Sequence, residues 1–180
     1  NVSVKIITDS GTMVVRLYNQ TPLHKENFEK LVKRHFYDGL LFHRVIKGFM
    51  IQGGDPESRN AKPGQHLGDG GTKKMIPAEF DTLLFHRKGA VAMAREGNDV
   101  NPKKESSSSQ FYIVEGRTFT NLEMSRIEEQ FRIKIPEDHK EVYRTVGGAP
   151  FLDMNYTVFG QVVKGLDVID KIASAPKDKN

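Results

Sequence analysis

Apolar and polar residues alternate from the first positions of the chain. Val2, Val4 and Ile6 fall on one side of an extended segment and Ser3 and Lys5 on the other, the two-residue period of a half-buried strand. Asp9-Ser10-Gly11-Thr12 supplies a turn and residues 13–18 a return strand, which predicts an N-terminal hairpin. The period then lengthens. Thr21-Pro22 is a helix start, with Thr21 as N-cap and Pro22 at the first helical position. That helix runs to about Arg34 and buries Phe28, Leu31 and Val32. Residues 42–55 return to extended structure, as two short strands joined by a tight turn at Lys47-Gly48. Alternation places Arg44 and Ile46 on one face of the first strand, and Met50 and Gln52 on one face of the second.

Residues 55–71 are polar and rich in Gly and Pro, and read as loop. Residues 90–94 form a short buried strand of small side chains. The following stretch, 97–109, ends in four serines and reads as a flexible spacer. Residues 110–114 and 156–163 are two more strands. Residues 165–173 place Leu166, Ile169 and Ile172 on one helical face, and the tail from Pro176 is expected to fray. Many short strands with two separated helices predict an antiparallel β-barrel capped at its ends, although periodicity alone does not separate barrel from sandwich. Residues 119–148 break that pattern. Leu122, Ile127, Gln130 and Phe131, then Val142, Tyr143 and Val146, sit among many charges, and Pro136 divides them into two short amphipathic helices.

At 180 residues and 37% hydrophobic the chain has the size of one domain, 1–180. The absence of cysteine excludes a disulfide framework, a thiolate metal site and a catalytic thiol. The net charge of +4 is spread without a Lys/Arg block, so no nucleic-acid partner is expected. The six His residues are scattered, and no metal site is expected. No apolar run reaches the length of a membrane span. A monomer is expected, since no heptads or sizeable apolar stripe occur. Because the chain opens on Asn1, a trimmed chain or a processed product is expected, with a periplasmic or membrane-anchored form slightly favoured over a cytoplasmic one.

The chemistry concentrates in Phe42-His43-Arg44-Val45-Ile46-Lys47-Gly48-Phe49-Met50-Ile51-Gln52-Gly53-Gly54-Asp55. A guanidinium held beside an apolar floor is costly unless something binds there. His43 alternates to the face opposite Arg44 and reads as structural. Asp55 and Glu79 read as loop and turn carboxylates, and no Ser-His-Asp set stands out. This run resembles the signature of the cyclophilin family of peptidyl-prolyl cis-trans isomerases, in a bacterial-like form with an inserted helical segment. The family carries an Arg, a Phe-Met pair and a Gln at this spacing.

The resemblance implies a closed eight-stranded antiparallel β-barrel with a helix over each opening, interrupted by the insertion at 119–148. It implies a cofactor-independent isomerase acting on Xaa-Pro bonds of proline-containing peptides and unfolded segments. Arg44 would be the hydrogen-bond donor, with Gln52 holding the substrate backbone or orienting Arg44. Phe49, Met50, Tyr112 and Leu152 would form the proline pocket, with Gln110 at its rim. Ala94 and Arg95 match a stretch whose backbone meets the peptide, and Gly70 and Gly71 match a loop beside the neighbouring pocket. Tyr112 stands where many relatives have Phe, which adds a hydroxyl that needs a partner. Phe151 replaces the Trp that holds cyclosporin, so weakened drug binding is implied, and Tyr156 replaces a pocket-edge His. A competing expectation is a barrel that binds Pro-containing segments, or a partner through the insertion, without turnover. The insertion as plain cover for the barrel ranks above a partner surface.

Overall fold

The computed structural model describes residues 2–71 and 74–176. The alternating N-terminal segments pair as β1 (Val2–Thr8) and β2 (Gly11–Leu17), with Val4 opposite Val15. The signature run forms β3 (Arg44–Ile46) and β4 (Met50–Gly53), and the later apolar runs form β5 (Ala90–Met93), β6 (Phe111–Val114) and β7 (Val158–Lys164). All pairings are antiparallel, in the order β1-β2-β7-β5-β6-β4-β3.

This is a curled sheet of seven strands, and the expected closed eight-stranded barrel is corrected accordingly. Among the described residues β1 and β3 are edges with no ladder between them. Outside the seven strands pairing is confined to isolated bridges, such as Ile76 to Ser106. Pro77 beside Ile76 cannot donate to a ladder, which stops that bridge from growing.

The period-2 pattern divides the sheet into two uses. Met13, Val15, Ile51, Val91, Met93, Ile113 and Phe159 face inward and make the main core with Phe28 and Ile169. The alternate residues of the central strands, Met50, Ala92, Tyr112, Val114 and Val158, face the other way and join a second cluster with Leu152 and Tyr156. A one-residue slip of β4 would exchange Ile51 for Met50 and destroy both clusters at once.

Helix α1 (Pro22–Lys33) buries His24 and Phe28, with Pro22 in its first turn as expected. Thr21 makes no side-chain cap. The carboxylate of Glu79 accepts from the Leu23 and His24 amides instead, at 3.1 and 2.8 Å. The last helix buries Val168, Ile169, Ile172 and Ala173, whereas Leu166 is partly exposed. The tail residues 177–180, expected to fray, lie outside the described residues.

The segment expected to be an insertion forms two helices either side of Pro136, α2 (Asn121–Phe131) and α3 (Glu137–Thr145); the last helix, α4, is Leu166–Ala173. Phe119, Met124, Ile135 and Tyr143 build a separate small core, while Leu122 and Val146 face solvent. α2 opens on a capping box, Thr120 with Glu123. Among the described residues no helix is long and apolar enough to cross a membrane.

Candidate active site

The β3–β4 hairpin sets the site. Its register puts Arg44 opposite Gln52 and Ile46 opposite Met50, so the cation, the amide and the apolar pair share one face. The turn between them is tied down from β6. Gly48, at φ 79°, donates its amide to the Glu115 carboxylate at 2.5 Å, and the Phe49 carbonyl accepts from the Glu115 and Gly116 amides. On the other side of β4, Gln52 pairs with Tyr112 of β6, and Tyr112 pairs with Ala92 of β5.

These elements enclose a half-open cavity of about 130 Å³. Met50 and Tyr112 are its buried floor, and Phe49 and Leu152 are partly exposed walls. Arg44 and Gln52 stand at one side, and Ala94, Arg95 and Tyr156 close the other. A larger groove of about 380 Å³ lies between α1 and the Met75-Ile76-Pro77 segment. It contains none of the signature residues, so size does not select the site.

Arg44 is exposed, and among the described residues no hydrogen bond or ion pair is made by its guanidinium. Arg95 is the contrast. Its Nε donates to the Asn155 carbonyl at 2.7 Å, Nη1 donates to the Glu96 carbonyl at 2.8 Å, and its charge lies 4.4 Å over the Tyr156 ring. Arg95 is thus spent on holding the wall, while Arg44 keeps its donors for a ligand. The Ala94 amide and carbonyl are both used, with Gln110 and Ser107, so the backbone groups left for a peptide are those of Arg95.

Four of the expected residues stand outside the cavity lining. Gln110 lies behind it: its carbonyl oxygen accepts from Gln52 Nε2 at 3.0 Å, and its own amide donates to the carbonyls of Gly68 and Gly70. It therefore orients Gln52 and fastens the Gly-rich loop. Gly70 belongs to that loop, whose amides at Gly68 and Gly70 reach the buried Asp55 carboxylate. A Cβ on Gly70 would collide with that carboxylate, which is why glycine stands there. Gly71 adjoins it near Ser109. Phe151 packs behind Phe49, ring centroids 5.5 Å apart, and backs the wall without lining it.

The Tyr112 hydroxyl has a partner. It lies 2.8 Å from His86 Nε2, and His86 Nδ1 lies 2.9 Å from an Asp153 oxygen. Because a carboxylate only accepts, Nδ1 carries the proton in the neutral ring, and the Tyr112 O–H donates to Nε2. The hydroxyl is thus bonded to His86, which does not line the cavity. Burial holds the Tyr112 phenol well above its ordinary value of 10.0, with Tyr156 and Asp153 adding to the shift.

The serine run, expected to be a flexible spacer, is corrected: Ser106, Ser108 and Ser109 are buried. Tyr37 donates to the Ser109 carbonyl and Asn27 to the Ser108 carbonyl. Gly54, at φ 92°, passes so close to the Ser109 backbone that a Cβ there would strike the Ser109 carbonyl. Ser106 Oγ lies 2.7 Å from His24 Nε2, and His24 Nδ1 lies 2.6 Å from Glu79. That Ser-His-Glu order matches a hydrolase triad, which the sequence reading did not anticipate. Ser106 is only 1% exposed, so no substrate reaches its oxygen and the set is a structural bolt. His43 is half-buried near Asp55 and Gln110, and burial outweighs both in lowering its pKa. Among the described residues no group of three His, Asp or Glu could hold a metal ion.

Comparison with known proteins agrees with this geometry. The family model described as cyclophilin type peptidyl-prolyl cis-trans isomerase/CLD matches residues 3–180. A peptidyl-prolyl cis-trans isomerase of Acinetobacter baylyi is 34% identical over 178 residues, covering 98% of this chain and 74% of the relative. A Staphylococcus aureus protein, provisionally named as the same enzyme, is 34% identical over 182 residues, covering 99% of this chain and 85% of its own. Among solved structures, a cyclophilin type isomerase of Cryptosporidium parvum, crystallised in the presence of the dipeptide Ala-Pro, superposes with a TM-score of 0.67 at 25% identity. The match covers 99% of this chain and 89% of that one. Matched along nearly its whole length in sequence and in fold, this chain belongs to the cyclophilin-type peptidyl-prolyl cis-trans isomerases.

Proposed function

We propose that the protein accelerates rotation about Xaa-Pro bonds in exposed or unfolded segments, with Arg44 as the donor that promotes the turn. The bond has a barrier of about 18–20 kcal/mol from amide resonance, while its two end states differ by only about 0.5–1 kcal/mol. No covalent step is required. As the amide twists, the prolyl nitrogen becomes pyramidal and gains a lone pair. A donor aimed at that nitrogen strengthens only as resonance is lost, which is binding specific to the transition state.

The observation that carries the reading is the Arg44 guanidinium, without a partner among the described residues and opposite Gln52 above an apolar floor. Met50, Phe49, Tyr112 and Leu152 grip the proline ring, and Gln52, oriented by Gln110, holds the preceding backbone. Gly70 and Gly71 sit beside the residue before the dipeptide. Phe151 offers no indole N–H, so reduced cyclosporin affinity belongs to the same reading; titration by calorimetry, with Phe151→Trp binding more tightly, checks it. We take residues 1–180 to work as one monomeric unit with the insertion part of it.

A protease-coupled isomerisation assay on a short Xaa-Pro peptide tests the assignment. Arg44→Ala is expected to lose on the order of 10²–10³-fold in kcat with its circular dichroism unchanged. Unchanged kcat/KM in a folded Arg44→Ala protein would remove Arg44 from the mechanism. A folded wild type without acceleration would favour a binding module instead.

A further inference from the structure

The proline pocket is joined to the insertion by one continuous hydrogen-bonded chain. Tyr112 in the floor meets His86 at 2.8 Å, and His86 meets Asp153 Oδ1 at 2.9 Å. The other Asp153 oxygen, Oδ2, accepts from the Tyr143 hydroxyl at 2.7 Å. Tyr143 lies on α3, inside the inserted segment, and is fully buried. His86 is also fully buried, and its backbone amide donates to Asp153 as well, at 2.8 Å.

Each member has its donors and acceptors matched, which leaves little freedom for any one to turn alone. Asp153 accepts three protons and can give none. His86 therefore presents Nδ1–H to it, and in the neutral ring Nε2 is then the acceptor for the Tyr112 hydroxyl. The Tyr112 ring lies 13° from the His86 plane, with centroids 5.9 Å apart, so ring and hydroxyl are fixed by the same neighbour. Asp153 also caps the short 3-10 turn Pro150–Leu152, whose Leu152 lines the cavity. A second, apolar contact runs in parallel. Phe131 of α2 approaches Phe151 at 6.2 Å, and Phe151 backs Phe49.

We propose that Tyr143, Asp153 and His86 are positioning residues of the proline pocket, through which the insertion sets the orientation of Tyr112. They touch no substrate. Their effect is to hold the Tyr112 ring face toward the proline and its hydroxyl away from it. In most settings a phenol in an apolar floor would offer a polar group to the substrate ring. Here the insertion supplies the last link that turns it outward. This rests on the isomerase reading above, since a pocket without turnover has nothing to position.

A double-mutant cycle separates positioning from mere support. Tyr143→Phe, Tyr112→Phe and the double variant are compared in the peptide assay, with kcat and KM resolved. Tyr143→Phe is expected to lower kcat/KM about three- to tenfold, chiefly through KM. In the Tyr112→Phe background the same change is expected to do nothing, because the hydroxyl it controls has gone. Equal losses in both backgrounds, or no loss in either, overturn the proposal while leaving Arg44 untouched. An inactive wild type would sink both readings, and Arg44→Ala run alongside shows which has failed. If Tyr143→Phe does not fold, Asp153→Asn takes its place in the cycle with the same expectations.

Discussion

The signature hairpin and the insertion are built on opposite terms. In the insertion the groups at the helix ends and in the small core are matched. Thr120 and Glu123 cap α2 reciprocally, Arg144 reaches Asn121, Glu137 and Glu141, and Met124 and Tyr143 are fully enclosed. In the hairpin the exposed guanidinium of Arg44 has no partner among the described residues and stands beside Phe49 and Met50. Matched groups hold a shape, whereas an unmatched cation over an apolar floor is an invitation to a ligand. Support and chemistry therefore fall to different segments, joined among other contacts through Asp153, His86 and the Phe131–Phe151 pair.

That division can be broken from either side. Arg44→Ala, with the largest effect on rate, is expected to leave the urea midpoint within about 0.5 kcal/mol of wild type, as for an exposed surface change. Met124→Ala reverses the pattern. It empties the centre of the insertion's core, so a loss of about 2–5 kcal/mol is expected in urea unfolding. Its kcat/KM should fall far less than that of Arg44→Ala; a comparable fall would mean that the two regions are not separate.

The smallest effect is one of pH and belongs to neither region. Burial lowers the His24 pKa below 6.5, against the pull of Glu79, so the fold favours the neutral ring. The unfolded chain then takes up the proton first as pH falls. The stability held by His24 is complete above about pH 6.5 and is lost as pH drops through the lower folded value. His43, shifted the same way, adds to it. Thermal melts between pH 7.5 and 5 should show this slope, and His24→Gln should flatten it; an unchanged slope would assign it to other groups.

What could be read from the sequence was local. The two strands around Lys47-Gly48, the faces that Arg44 shares with Ile46 and Met50 with Gln52, and the two helices about Pro136 follow from spacing alone, because a residue's face is set by its neighbours along the chain. The features missed are made by distant partners. Glu79 caps α1 from 55 residues away, which no Thr-Pro motif announces. The serines look like linker until Tyr37 and Asn27, more than 70 residues earlier in the chain, take up their carbonyls. The Tyr112 hydroxyl looked unprovided for because His86 and Asp153 lie 26 residues before it and 41 after it. Exposure too was misjudged where a helix meets only a small partner, as at Leu122.

The strand order carries a consequence for the chain's own making. β7 sits between β2 and β5, so β2, finished at Leu17, finds its inner neighbour only at Val158–Lys164. During synthesis at ~5–20 residues per second that wait is roughly 7–28 s for the intervening 140 residues. Through it the hairpin of β1 and β2 must carry Met13, Val15 and Leu17 without a core to receive them. A protein fitted to help other chains through slow steps thus begins life needing shelter of its own.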